Sequence, residues 1–530
     1  MLKRLWFKLA NTIIGGAILI AVFSILSRLL GLLRDRLLAS HFGAGSLLDS
    51  YYAAFKLPDL IFNTLVFGAL AVAFIPVFTK AWLDDKEKAL KISNAVLNYL
   101  IAILLSFSIV MCFIAPQIMR LIVPGFNPEE LALTVSLTRI IIFSIVFFGL
   151  SNVIGGVLNS FKKFFSFSLA PIFYNLGIIM GIILLFPIMG PKGLAWGVVL
   201  GSVMHFLVQL PEVIRNGWHY KWYWKLNSET KKIFKLMLPR TLGLAANQIS
   251  HLVETIIAST LTVGSIAIFN LANNLQSFPI SVFGISLAIA VFPIFSEALA
   301  DNNLSKFVST FSLHFRRVIF LIIPVSIFML LLRAQIVRII LGADRFDWNA
   351  TYHTAQTLGW YVISLFAQSL IPMITRSFYA MEDTKTPVII GVISIAINIT
   401  IALILGPIMG VEGLALAFSI ASILNMIILL GTLRFRLGDL DDKKIIWSTL
   451  KISFNSIIAG TALYLTLRLV ADLVNMQTFL GIFLQGTIAG IIGLIVYLAM
   501  SLITNCEEIT IVKLWLVKFL KPIFSYKNNG

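Results

Sequence analysis

An all-α polytopic membrane protein is the fold class this chain predicts, and three features carry that reading. Apolar residues make up 59% of its 530 residues and charged residues only 12%, too few charges to solvate the surface of a soluble protein of this length. The apolar residues gather into long runs of the length a helix needs to cross a bilayer, roughly 20 residues each. The basic residues collect in alternate gaps between those runs, as positive-inside topology requires.

Taken in order, the runs place crossings near 12–33, 50–78, 92–115, 132–158, 166–187, 193–213, 233–260 and 264–296. Six more follow near 310–332, 354–378, 387–406, 411–432, 448–471 and 479–503, about fourteen in all. The first run is too long for a signal peptide, contains Arg28 and lacks a small-residue cleavage site, so it is expected to stay in the membrane. Lys3, Arg4 and Lys8 precede it, and Lys80, Lys86, Lys88 and Lys91 follow the second run. The alternation continues through Lys162 and Lys163, Arg215 to Lys232, Arg316 and Arg317, and Arg434 to Lys444, which predicts both termini in the cytoplasm. Topology thus accounts for most of the formal charge of +17, and its scatter over many loops argues against a nucleic-acid partner. The segment from Trp218 to Lys225 reads as an interfacial anchor at headgroup depth. Two cysteines, Cys112 and Cys506, and six dispersed histidines offer no disulfide framework, metal motif or nucleophile elbow. No metal or cofactor is expected, and an enzyme would need a site assembled from residues distant in sequence.

The chain repeats itself. Phe186-Pro-Ile-Met-Gly-Pro-Lys-Gly-Leu-Ala195 returns as Gly406-Pro-Ile-Met-Gly-Val-Glu-Gly-Leu-Ala415, 220 positions on. Phe74 to Phe78 around Pro76 returns around Pro293, and Ser160-Phe161 to Pro171 resembles Ser377-Phe378 to Pro387. An even number of crossings per repeat leaves the two halves in one orientation, related by an axis along the membrane normal. The expected organisation is a six-helix lobe over 1–215, a second over 216–436, two further transmembrane helices over 437–505 and a basic amphipathic tail on the inner leaflet over 506–530.

The first two crossings carry charges that lipid would exclude. Arg28, Arg34 and Asp35 lie on the first, and Asp49, Lys56, Asp59 and Asn63 on the second. A charge at membrane depth needs a wet cavity or a partner, which makes these residues candidates for a substrate site. The steps of seven from Arg28 to Asp35 and from Asp49 through Lys56 to Asn63 are close to two helical turns, so each set shares a face. The matching stretch of the second half is amide-rich and uncharged, with Asn273, Asn274 and Gln276. Pro58 and Pro279 are expected to bend their helices at membrane depth. On the seventh crossing, His251 and Glu254 stand about one turn apart. Either they form a paired structural contact or Glu254, helped by Asn398 on the eleventh crossing, binds the proton or Na+ that drives transport. Dependence on membrane potential is the further alternative. His205 reads as a packing residue, and Asp383 with Lys385 as a cap or latch.

These residues resemble a known family. Ser27-Arg28-x-x-Gly31-x-x-Arg34-Asp35, Phe42-Gly-Ala-Gly45, Asp49 and Ala54-Phe-Lys56-Leu-Pro58 are similar to the signature of the MviN/MurJ family, the lipid II flippases of bacterial cell-wall synthesis. Phe74-x-Pro76, Gln209-Leu-Pro211, Phe278-Pro279 with Gly284, and Asp383-x-Lys385-Thr-Pro387 continue the resemblance along the chain. It implies the architecture of the multidrug/oligosaccharidyl-lipid/polysaccharide exporters, with a central cationic cavity, a lipid groove on the last two helices, and residence in the bacterial cytoplasmic membrane. It further implies lipid II as substrate, gripped at its pyrophosphate by Arg28, Arg34 and Lys56, with Asp35 and Asp49 in or near the same site. Membrane lipids and the cell-wall synthesis machinery are the other partners it implies. Two cavity charges of the family pattern are absent: Phe62 stands before Asn63 where an arginine is expected, and Asn273-Asn274 replaces an Asp-Arg pair. A related polyprenyl-diphosphate oligosaccharide, or a drug, therefore remains an alternative cargo, with a membrane glycosyltransferase or a nontransporting scaffold as other classes.

Overall fold

A computed structural model of the chain describes residues 13–510. Lys3, Arg4, Lys8 and residues 511–530 of the expected tail lie outside the described residues. Every regular element within them is helical. Ten helical stretches, from Lys86–Ile122 to Phe479–Ile503, are long and apolar enough to cross a membrane. An eleventh joins them if Trp348–Val362 and Leu365–Ala380, bent by 44° at their junction, make one broken span. The other three expected crossings correspond to Ile13–Phe42, to a helical run over 46–84 and to Ser228–Ser259. Each carries internal charges, and the count of fourteen crossings stays an expectation.

The burial pattern is that of a lipid-embedded protein. Only 22% of the apolar window of Lys385–Met409 is buried, against 67% of that in Pro128–Ser160, so the first helix turns its hydrocarbon outward while the second is enclosed by neighbours. Without a hydrophobic force between helices in lipid, close approach comes from small residues. Gly177 and Gly181 meet Gly201 and Gly197: a Cβ added at Gly177 would lie 2.2 Å from the Cα of Gly201, and one at Gly181 would lie 2.5 Å from the Cα of Gly197.

Packing divides the chain into two compact units. One holds the chain up to Asn270 together with Ala343–Asp347; the other holds Leu271–Gly342 and the chain from Trp348 onward. This is a division by contact, distinct from the lobes read from the repeat. The first unit packs around Phe74 and Phe78, stacked at 5.2 Å, with Leu100, Val153, Val157 and Ile233. The second packs around Phe295, Phe307, Phe311, Phe378 and Leu429, and around Tyr497, whose hydroxyl donates to the Phe320 carbonyl at 2.7 Å.

The repeat is visible in the backbone. Gly190 and Gly410 both take the left-handed region, at φ 60°, ψ −145° and φ 67°, ψ −144°, where a side chain would be strained. Added Cβ atoms at Gly193 and Gly413 would each stand 2.4 Å from backbone, of Leu185 and Leu405 respectively. The two prolines stand at changes of helix type. Pro58 sits in the short Lys56–Ile61 helix, which runs into the π-helix Phe62–Phe67, and Pro279 ends Ser265–Pro279 where the π-helix Ile280–Ile285 begins. The missing amide hydrogen of proline frees a carbonyl one turn back, and the wider π turn follows.

The aromatic segment after Arg215, expected as an interfacial anchor, leaves Tyr220, Trp222 and Trp224 exposed while its backbone is tied to the protein. It runs extended along Lys86–Ile122 and is bonded to it throughout. Asn94 donates to the His219 carbonyl and accepts from the Lys221 amide, both at 3.1 Å; Asn98 donates to the Tyr223 carbonyl; and Trp218 donates to Ser93 Oγ at 2.9 Å. Two asparagines one turn apart thus act as a strand partner for the strap.

Candidate functional site

In the first unit, the Lys56 face and the His251–Glu254 pair form one polar cluster. The helix break at Phe55 turns Lys56 toward Asn270, whose Oδ1 accepts from the ammonium at 3.3 Å. Asn270 is held in place because its own Nδ2 donates to the Ile266 carbonyl at 2.7 Å. Glu254 is buried, and its Oε2 lies 3.0 Å from His251 Nδ1, while the His251 ring remains about half exposed. Lys56 is within electrostatic reach of Asp59 and Glu254, and Asp59 of His251. Asn63 reaches Gln248 on the same helix as His251, at 3.5 Å. The cluster therefore sets one ammonium among two carboxylates, an imidazole and three amides.

A second group lies on Ile13–Phe42. Arg34 donates through Nε and Nη2 to Asp35 Oδ1, at 2.9 and 2.8 Å, and through Nη1 to Asn175 Oδ1 at 3.1 Å. Asn175 in turn donates to the carbonyl and hydroxyl of Ser27. Asp35 is buried beneath this guanidinium. Arg28, half-buried, makes no hydrogen bond or ion pair among the described residues. Its donors stay open among the described residues.

Asp49 does different work. Its two carboxylate oxygens accept from the backbone amides of Gly264 and Ala267, at 2.6 and 2.7 Å, so it caps the N-terminus of Ser265–Pro279 from another part of the chain. Around it the loops close tightly. Gly264, at φ +94°, has no room for a Cβ, which would meet the Ala44 carbonyl oxygen at 2.4 Å. A Cβ on Gly43, at φ +66°, would meet the Arg345 carbonyl oxygen at 2.8 Å, and one on Gly125 the Ser259 oxygen at 2.1 Å. The Arg345 amide donates to the Ser40 carbonyl at 3.1 Å. The short-residue loop Phe42-Gly-Ala-Gly45 is thus sealed against 259–264 and 343–347, with Asp49 as its electrostatic clasp.

The amides of the second half lie in a chain within the second unit, where Ser265–Pro279 continues past Leu271. Gln276 is buried; its Nε2 donates to Asn273 Oδ1 and its Oε1 accepts from Gln368, both at 3.0 Å, and Gln368 passes on to Ser364 and Ser419. Asn274 lies beside them, with its carbonyl bonded by Ser277. Asn398 is buried on Lys385–Met409 of the same unit. Phe62, where the family pattern has arginine, packs its ring 5.1 Å from Phe148. His205 is a packing residue, with Nδ1 2.6 Å from Ser151 Oγ. Among the described residues no group of three His, Cys, Asp or Glu side chains could hold a metal ion.

Three participants, Asn175, Gln248 and Gln368, belong to no motif of the sequence. Each is an amide set within an apolar run, and that is the one signal that could have found them.

The profile of a family described as "Lipid II flippase MurJ" matches residues 38–484. The chain belongs to the MurJ family. Among MurJ relatives, the "Probable lipid II flippase MurJ" of Vibrio cholerae is 31% identical over 517 residues, covering 93% of this chain and 96% of that one. A solved structure, "Lipid II flippase MurJ, inward closed conformation", superposes with a TM-score of 0.79 at 27% identity, over 93% of this chain and all of that one. An inward-facing multidrug resistance MATE family transporter of the MOP superfamily shares the fold, with a TM-score of 0.69 at 16% identity over 80% of this chain and 99% of that one. MurJ membership makes the chain a multi-pass membrane transporter, as its signature residues had implied.

Proposed function

We propose that the chain moves lipid II across the bacterial cytoplasmic membrane by alternating access, with both termini in the cytoplasm and the repeated lobes over 1–215 and 216–436 exposing the site in turn. Family membership supplies the substrate. The observation that carries the site is the pair of cations left available on the first two helices, Arg28 with open donors and Lys56 held by a single 3.3 Å bond to Asn270. A diphosphate leaving water needs its hydration replaced, and a guanidinium and an ammonium in a low-dielectric cavity can do so. Arg34 is fixed by Asp35 and Asn175 and orients this face, and Asp49 works as a clasp. With the N-terminus inside, the seal around Gly43, Gly125 and Gly264 falls at the outer surface, so the site would open inward.

Coupling to Na+ or H+ belongs to the same reading. Glu254 and Asp59 both face Lys56, so a cation binding there would compete with the ammonium and free it for the substrate. Asn398 would act in a separate step on the second unit. The membrane potential is the third source of drive. Lipid II remains the cargo this reading names, but Phe62 and the uncharged Asn273-Asn274 favour a second: another polyprenyl-diphosphate oligosaccharide held by amides.

Flipping by purified protein in liposomes tests both at once, with lipid II and other polyprenyl-diphosphate sugars as parallel cargoes. Transport of lipid II, lost in Arg28→Ala and Lys56→Ala, is expected. Transport of another sugar alone would select the second cargo, and full rescue of depleted cells by Lys56→Ala would point to a scaffold.

A further inference from the structure

A cavity of about 420 Å³ opens in the second unit where Asp442–Ala471 begins. Its lining includes Arg316, Lys443, Lys444, Trp447, Ser448 and Lys451. The three lysines and Trp447 are exposed at the rim, and Arg316 and Ser448 are buried at its wall. Three acids also face it, and each is accounted for. Glu508, itself buried, and Glu507 accept from Arg316 Nη1, and Asp441 accepts from Ser312 Oγ at 2.8 Å. What stays unmet is on the donor side. Arg316 Nε and Ser448 Oγ are both buried with no hydrogen-bond partner among the described residues. Two buried donors without acceptors cost stability unless something supplies the acceptor, and three unpaired ammonium groups at the mouth specify an anionic one.

The surroundings distinguish a lipid from a free anion. Ile446, Leu450, Phe454 and Ile457 continue from the cavity along the same helix, each more than half exposed, at the spacing of one helical face. Trp447 stands between this stripe and the lysines, an amphipathic ring where the apolar and polar zones meet. A headgroup in the cavity would leave its acyl chains on that stripe. Basic pockets between helices at the membrane surface are suited to acidic headgroups for this reason.

We propose that this cavity seats the phosphodiester headgroup of an acidic membrane phospholipid, with Lys443, Lys444 and Lys451 at the phosphate, Arg316 Nε and Ser448 Oγ as buried donors, and the acyl chains along Ile446 to Ile457. The site is separate from the cations on the first two helices, and it holds whatever the transported cargo proves to be.

Native mass spectrometry of the purified full-length protein, supplied with phosphatidylglycerol, phosphatidylcholine or inorganic phosphate, tests the site. Phosphatidylglycerol is expected to be retained over phosphatidylcholine, with no displacement by inorganic phosphate. Lys443→Gln/Lys444→Gln/Lys451→Gln should lower its occupancy on the order of tenfold or more. The corresponding triple arginine variant should retain it, which separates lost charge from lost fold. Ser448→Val, neutral in charge, should lower occupancy about threefold, and Lys231→Gln/Lys232→Gln on another surface should leave it unchanged. Full occupancy in the triple glutamine variant overturns the proposal. So does an equal loss in Lys231→Gln/Lys232→Gln, which would mean general attraction to basic surfaces. Equal retention of phosphatidylcholine removes the charge argument, and displacement by inorganic phosphate would make the cavity a free-anion site.

Discussion

Lys56 and Glu254 lie on different helices, and their charges act on each other. An ammonium near two carboxylates is held by charges that a bound cation or proton can cancel. Glu254→Gln should therefore leave the fold intact while abolishing the ion dependence of transport; a flipping assay across Na+ and pH gradients that showed unchanged dependence would remove Glu254 from coupling. Lys56→Arg keeps the charge but loses the compact fit to Asn270 Oδ1, so partial rescue is expected where Lys56→Ala gives none. Asp49 separates position from chemistry. Asp49→Ala strips a cap from Ser265–Pro279 at a cost of about 1 to 2 kcal/mol, read as a lower unfolding temperature, and Asp49→Asn should recover part of it. The steps of seven placed Asp49 on the right face of its helix. They could not say that Gly264 and Ala267 would meet it there, because periodicity describes one helix and says nothing about its neighbour.

Helix pairs show where the repeat is physical. The matching glycines at Gly190 and Gly410 end helices in the same left-handed conformation, so the match seen in sequence reports a shared turn. That was legible because such a turn demands glycine. The strap from Trp218 was not, since an aromatic-basic run marks a membrane interface and carries no sign that Asn94 and Asn98 would hold its backbone. Asp383 settles a similar ambiguity on Lys385–Met409. Its carboxylate accepts from the amides of Lys385 and Thr386 and from the Thr386 hydroxyl, and Arg436 donates to it as well, so it caps this helix and ties it to Val411–Leu437 within one lobe rather than latching one lobe to the other. The Thr386 hydrogen bonds, with Arg436 adding to them, push its pKa down to about 2 from an ordinary 3.8. Because the folded value is the depressed one, the stabilisation is full above the ordinary value and fades as pH falls through about 2. Thermal unfolding of the solubilised protein between these limits should lose that acid-side slope in Asp383→Asn. Gly197→Leu acts on packing instead: with Gly181 Cα so close, the side chain must force the helices apart, and a destabilisation of more than 1 kcal/mol is expected.

At the scale of the whole molecule, alternating access requires that the seal open and close. Its parts are backbone contacts between loops distant in sequence: Ser40 with Arg345, Ala44 with Gly264, Gly125 with Ser259. Such contacts use glycine because no side chain fits, and Asp49 adds a carboxylate that accepts from two backbone amides there. A closure of that kind is easily broken and remade, whereas the interdigitated phenylalanines of each unit are not. The Arg345 amide donates to the Ser40 carbonyl at 3.1 Å, which brings the two residues into the range a disulfide can bridge. Ser40→Cys/Arg345→Cys should therefore cross-link under oxidation. If the seal opens in every cycle, the oxidised protein stops flipping, reductant restores it, and neither single-cysteine variant responds. Undiminished transport by the fully cross-linked protein would mean that the loops stay closed throughout, and the route across the membrane would have to pass elsewhere.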